Sequence, residues 1–250
     1  VARYQIIIAY DGTRFAGSQR QARLATVQSE LEAALAKVGW RGRNLLLAGR
    51  TDTGVHAAGQ VVAADLDWAH SPEALRNALN AALPADVAAR HVQLAPAGFH
   101  PRFSATARRY RYRLYCQPVR DPLRDRYAWR LEREPDGRIL DEASVALVGR
   151  HDFGAFGTPP RKNGNSVRTV FDARWSSEHD EWTFDVQADA FLYRMVRRTV
   201  YLQVAAAQNR IDVDLIRAGL AGKGALPAGL APACGLTLME VTYPPFDDLA

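Results

Sequence analysis

Apolar positions recur along the chain with the two periods of strands and helices, and together they predict an ordered set of elements. Residues 3–10 read as an apolar strand that ends at the turn Asp11-Gly12. Over residues 26–38, Val27, Leu31, Ala34, Leu35 and Val38 recur at helical spacing, and the Thr26 hydroxyl is placed to cap the first turn. Short strands follow at 44–47 and 60–66. Ser71-Pro72 opens a second helix, because serine caps well and the first helical position needs no N–H donor. Leu75, Ala78, Leu79 and Ala82 form its buried stripe, and Pro84 stops it. Residues 88–95 close the set as a strand, so the order is β-α-β-β-α-β.

The second half predicts the same order. Residues 108–116 alternate strictly, with Tyr110, Tyr112, Leu114 and Cys116 on one face and Arg109, Arg111, Arg113 and Tyr115 on the other. After a long arginine-rich connection, Asp141 is placed to cap a short helix running through Val148. Residues 167–175 and 182–186 alternate as a hairpin. Residues 193–207 and 211–221 read as helices, and 236–243 as a closing strand. This pattern predicts an α+β fold of two similar ferredoxin-like, or RRM-like, halves, residues 1–105 and 106–250. Their antiparallel sheets would meet around a central basic cleft, and clefts of that kind are favoured ligand sites.

Composition narrows the class. The 250 residues are enough for a substantial core, and 48% hydrophobic with 24% charged residues is ordinary for a soluble protein. No apolar run reaches the roughly 18 residues of a membrane span. The opening Val1-Ala2-Arg3-Tyr4-Gln5-Ile6 alternates like a strand and does not read as a signal peptide. Cys116 and Cys234 are the only cysteines, which makes neither a disulfide framework nor a zinc site, so a reducing cytoplasm is expected. The net charge of +5 is modest. Arginine carries nearly all of the positive charge and bunches at 108–113, 120–133 and 194–198. Arginine interleaved with tyrosine suits RNA, whose phosphates it forks and whose bases it stacks on. Solvated strand and helix faces account for the same clusters equally well.

Two short strings point the wrong way. Asp152-Phe153-Gly154 spells the metal-binding triplet of kinases, but no glycine-rich loop or His-Arg-Asp loop accompanies it. Asp52-Thr53-Gly54 spells the triplet of aspartic proteases, which need two such carboxylates sharing a proton; the chain has one copy. No Walker or Rossmann glycine pattern occurs, and neither a metal nor a cofactor is expected. What remains is Gly49-Arg50-Thr51-Asp52-Thr53-Gly54-Val55-His56, in a loop between two short strands. Asp followed closely by Gly is a common turn pairing, and a plain hairpin turn would explain it. A plain turn does not need Arg, two Thr, Asp and His packed together.

That segment resembles the signature of the TruA family of tRNA pseudouridine synthases, usually Gly-Arg-Thr-Asp-Ala-Gly-Val-His. Tyr10-Asp11-Gly12-Thr13 and Gln19-Arg20-Gln21 resemble the family's opening, Phe99 to Tyr112 its central block, Ala190 to Arg197 its late helix, and Gly235-Leu236-Thr237-Leu238 its last strand. The resemblance runs in order from residue 4 to about 245. It implies a cofactor-free isomerase that converts uridine to pseudouridine at positions 38 to 40 of the tRNA anticodon stem-loop, as a homodimer whose subunits both touch each tRNA. It implies no DNA or membrane partner. Asp52 matches the catalytic aspartate, Arg197 the arginine that pairs with it, Tyr110 the tyrosine that packs on the target uracil, and Leu236 an apolar wall of the base pocket. Arg50, Thr51 and Arg109 are expected to contact the RNA. Three positions depart from the family: Ser18 stands in place of tryptophan, Thr53 in place of alanine, and Tyr201 in place of glycine. A non-catalytic RNA-binding protein of two RRM-like halves is the main alternative. It lacks support from the missing Lys/Arg-Gly-Phe/Tyr-Gly/Ala-Phe consensus.

Overall fold

The computed structural model describes residues 1–159, 161 and 164–246, which form two compact units. One comprises Val1–Thr106 with the chain from Thr237 onward, the other Ala107–Leu236.

In the first unit the elements are β1 (Ala2–Tyr10), α1 (Val27–Lys37), β2 (Leu46–Leu47), β3 (His56–Leu66), α2 (Pro72–Ala82) and β4 (Val87–Leu94). The period-two burial of Tyr4, Ile6, Ile8 and Tyr10 makes β1 central, paired antiparallel to β3 on one side and β4 on the other. β2 pairs antiparallel to the far end of β3, at Ala63 and Val62. Both predicted helix starts are present. Thr26 and Ser29 form a reciprocal capping box, and the Ser71 hydroxyl accepts from the Ala74 N–H at 3.2 Å. Val27, Leu31, Ala34 and Leu35 of α1 and Leu75 and Leu79 of α2 are buried. At the irregularity where β4 meets β1, the Asn80 amide brackets the Ala89 backbone at 2.8 and 2.9 Å and satisfies it.

In the second unit the elements are β5 (Ala107–Cys116), β6 (Trp129–Leu131), α3 (Gly137–Val145), β7 (Gly149–Asp152), β8 (Val167–Glu178), β9 (Glu181–Ala188), α4 (Met195–Ala207), α5 (Val213–Leu220) and a 3-10 turn, Ala233–Gly235. The strands run β5-β9-β8-β7, all antiparallel, with β6 parallel to the end of β5. Tyr112, Leu114, Phe184, Val186 and the buried side of α4 build the core, where Trp175 Nε1 donates to Gln203 Oε1 at 2.9 Å. Two expectations are corrected, and two short strands are new. Asp136, not Asp141, caps α3: it is extended and its carboxylate accepts from the Arg138 N–H at 2.9 Å, so the helix has begun before Asp141 is reached. The short β6 and β7 carry too few residues to show a period. Tyr115, expected on the polar face of β5, is fully buried: the 117–128 connection folds over it, and its hydroxyl donates to Asp125 and accepts from the Asp121 N–H.

The last strand, β10 (Leu236–Thr242), pairs in parallel with β3, Thr237 opposite His56 and Leu238 opposite Ala57. Its periodicity identifies a strand but carries no information about which strand it pairs with. Thr242 and Tyr243 are stitched to the segment before β5 in the same unit: Thr106 N donates to the Thr242 carbonyl at 2.9 Å, and the Tyr243 hydroxyl to that of Pro101 at 2.7 Å.

Candidate active site

The segment from Ala48 to Val55 joins β2 to β3 and is far more constrained than a hairpin turn. On the strand side, Ala48 N donates to the Val61 carbonyl (2.8 Å), and the buried Gln60 amide donates to that of Gly49 (2.9 Å). Residues 10–18 hold it from the other side. Ser18 N donates to the Thr51 carbonyl (3.1 Å), and Thr51 N donates back to the Ser18 hydroxyl (2.8 Å). The Thr51 hydroxyl bonds that of Tyr10 at 2.8 Å. Gly12 N donates to His56 Nδ1 at 3.0 Å, with an Asp11 carboxylate oxygen 3.2 Å from the same ring nitrogen. Ser18, Thr51, His56 and Gln60 are all buried.

Within this frame Asp52 to Val55 makes one tight turn, closed by the Val55 N–H on the Asp52 carbonyl at 3.1 Å, with Gly54 at φ +78°. That positive φ at the third turn position is why glycine stands there. The turn leaves Asp52 half-buried and Thr53 exposed, and Arg50 lies exposed on the same loop. Ser18 also explains its own departure from the family pattern: its small hydroxyl is the acceptor that Thr51 docks on.

Burial pushes the Tyr10 hydroxyl up to about 12, against hydrogen bonds from Thr51, Gln60 and Ser18 that pull it down. The folded state therefore prefers neutral Tyr10. Its contribution is complete below pH 10, the ordinary tyrosine value, and is lost as pH climbs to about 12. A change of that size corresponds to a few kcal/mol. Unfolding free energies measured from neutral pH to pH 12 should fall less steeply above pH 10 in Tyr10→Phe than in the unsubstituted protein; parallel curves would exclude this linkage.

The remaining predicted residues belong to the second unit. Tyr110 on β5 is buried, opposite Val186 and edge-on to Phe191 at 5.1 Å. Arg109 is half-buried beside it, opposite Gln187. Arg197 sits in the first turn of α4 and donates from Nε to the Ala231 carbonyl at 2.8 Å. Leu236, buried, follows the 3-10 turn. Arg111 and Arg113 are engaged across the sheet by Asp185 and Glu181, and Arg124 forks onto Asp180. At these positions the arginine row is a ladder of ion pairs. Asp152-Phe153-Gly154 is a turn after β7: the carboxylate accepts from the Gly154 N–H at 2.8 Å and Phe153 is core. Among the described residues no three His, Cys, Asp or Glu side chains are grouped to hold a metal, and no helix is long and apolar enough to cross a membrane.

Pattern reading missed the roles of Tyr10, Gly12 and Gln60. Their presence in or beside quoted motifs was the available signal, but the bonds they make span up to 44 residues of sequence.

The family model described as tRNA pseudouridine synthase matches residues 6–104 and 143–244. The chain belongs to this family. Such enzymes are isomerases that convert uridine to pseudouridine in tRNA. Among curated relatives, tRNA pseudouridine synthase A of Syntrophotalea carbinolica is 40% identical over 97% of this chain and 97% of its own length. Those of Methylacidiphilum infernorum and Colwellia psychrerythraea are 38% and 36% identical, covering 98% and 97% of this chain and 97% and 94% of theirs. In solved structures, 96% of the chain aligns with 48% of a chain from an H/ACA RNP bound to a substrate RNA containing 2'-deoxyuridine, at 12% identity and TM-score 0.39; the chain thus spans about half of that one.

Proposed function

We propose that this tRNA pseudouridine synthase acts on the anticodon stem-loop at positions 38 to 40, as a cytoplasmic homodimer, with Asp52 as its essential carboxylate. The observation that carries the assignment is the loop itself. Six hydrogen bonds to Gln60, Val61, Ser18, Tyr10 and Gly12 hold the chain on both sides of a half-exposed carboxylate, which is how a reacting group is preorganised. The strand order β4-β1-β3-β2 of the first unit supports reading it as ferredoxin-like.

In this reading the target uridine leaves its stack, at a cost of a few kcal/mol. Tyr110 offsets part of that by stacking, worth about 1–3 kcal/mol per base. Leu236 walls the uracil. Arg197 acts as the partner of the Asp52 carboxylate. Arg50 and Arg109 hold phosphates, and Thr51, locked to Ser18 and Tyr10, orients the loop. The bond from C1′ to N1 breaks, the uracil turns, C1′ joins C5, and the C5 hydrogen leaves as a proton to water while N1 gains one. Nothing is oxidised, so the chemistry needs no redox cofactor. Asp52 starts the sequence by attacking C1′ or C6, or by taking the C2′ proton.

Incubation with tRNA carrying tritium at uridine C5 should release tritium to water, with the products mapping to positions 38–40. Binding of tRNA without release would favour a non-catalytic RNA-binding protein, and release from other positions would remove the anticodon assignment.

A further inference from the structure

Two residues of α4 outside the proposed chemistry are committed to a single loop. The chain between α5 and the 3-10 turn is rich in glycine, alanine and proline, and it returns along α4. Arg198 donates to the Gly229 carbonyl at 2.7 Å and reaches that of Leu226 at 3.4 Å. Tyr201, three residues on and so on the same helical face, lays its ring across Gly229. A Cβ there would stand 2.0 Å from the ring, and the backbone has φ +149°. Arg210 in turn lies over the Tyr201 ring, 5.5 Å from its centroid. The far end of the loop meets Arg197: the Ala231 N–H donates to the Arg197 carbonyl (3.2 Å), and the Ala231 carbonyl accepts from Arg197 Nε (2.8 Å). Ala231 is fully buried.

An unrestrained arginine side chain samples many rotamers. A bond from Nε to a fixed carbonyl sets the guanidinium plane, and with it the direction of both terminal nitrogens. That carbonyl is only as fixed as its loop, which has no helix or strand of its own between α5 and Ala233. A helix arginine serving only as a solvated charge would not be half-buried with its donors on two carbonyls of one loop.

We infer that Arg198 and Tyr201 are positioning residues: they clamp residues 226–231 so that the Ala231 carbonyl fixes the orientation of the Arg197 guanidinium. This rests on the assignment of Arg197 as the partner of Asp52. Tyr201 stands where the family usually has glycine, so the clamp belongs to this chain in particular.

The test measures kcat and KM for tRNA by tritium release, with melting temperature alongside. Arg198→Met should lower kcat about 10- to 100-fold, the cost of small misplacement of a reacting group, with KM unchanged. Arg198→Lys should recover part of the loss, because lysine still reaches one carbonyl. Tyr201→Phe, which keeps the ring, should match wild type, and Tyr201→Ala should not. Added to Arg197→Met, Arg198→Met should cost nothing further, as expected when two residues act through one group. A wild-type kcat in Arg198→Met, a raised KM at constant kcat, or full additivity with Arg197→Met would each overturn the clamp. If Arg197→Met keeps wild-type kcat, the assignment of Arg197 falls and the clamp with it. If Arg197→Met is inactive while Arg198→Met is unimpaired, the clamp alone falls.

Discussion

Asp52→Asn should leave the protein folded and able to bind tRNA while lowering pseudouridine formation by about three orders of magnitude or more, ~4 kcal/mol of transition-state stabilisation. Asparagine matches aspartate in size, so the turn closed by the Val55 N–H on the residue 52 carbonyl can form unchanged. The bonds described above hold the loop through Thr51, Gly49, Ala48 and His56. What is lost is the negative charge. A neutral amide is neither a nucleophile toward C1′ or C6 nor a base toward the C2′ proton, so each of the three routes stops. Removing an anion beside RNA phosphates should keep tRNA affinity equal or raise it. Single-turnover tritium release and filter binding on the same preparation separate the two effects. A variant retaining more than about a tenth of the wild-type rate, ~1.4 kcal/mol, would show that another group does the chemistry.

The positions legible in the sequence were those whose signal is local. Thr26 and Ser71-Pro72 announce helix starts because a cap is a matter of two or three neighbouring residues. β1 and β5 show their period over eight or more residues. Local signals also mislead: Asp141 has the chemistry of a cap, but Asp136 comes first and the helix has already begun. Partnership is not local. Nothing in Leu236–Thr242 says that it will run parallel to β3. Nothing in Arg111 and Arg113 says that Asp185 and Glu181 will neutralise them from the neighbouring strand. The same holds at the site. The motif from Gly49 to His56 stands out in the sequence, but what distinguishes it physically from a turn is the set of bonds to residues 10–18, and these depend on β1 and β3 being side by side.

Gly12→Ala tests that frame without touching any group proposed to meet the substrate, and it should cost about 100-fold in kcat and about 1–3 kcal/mol in stability. A Cβ at position 12 would stand 2.0 Å from the Val55 carbonyl oxygen, 2.5 Å from its carbon and 3.0 Å from its nitrogen. All three are backbone atoms, so no rotamer change relieves the clash; either residues 11–13 or Val55 must move. Moving the first breaks the Gly12 N–H bond to His56, and moving the second opens the turn that presents Asp52. Gly49→Ala is the control on the same loop. Its Cβ would meet nothing within 4 Å, so stability and kcat should stay near wild type, within ~0.5 kcal/mol. Equal activity in the two variants would mean that residues 10–18 do not hold Asp52 in register. Loss confined to Gly12→Ala, with tRNA affinity retained, would place the effect on the geometry of the carboxylate, since the arginines proposed to hold RNA are unchanged in both proteins.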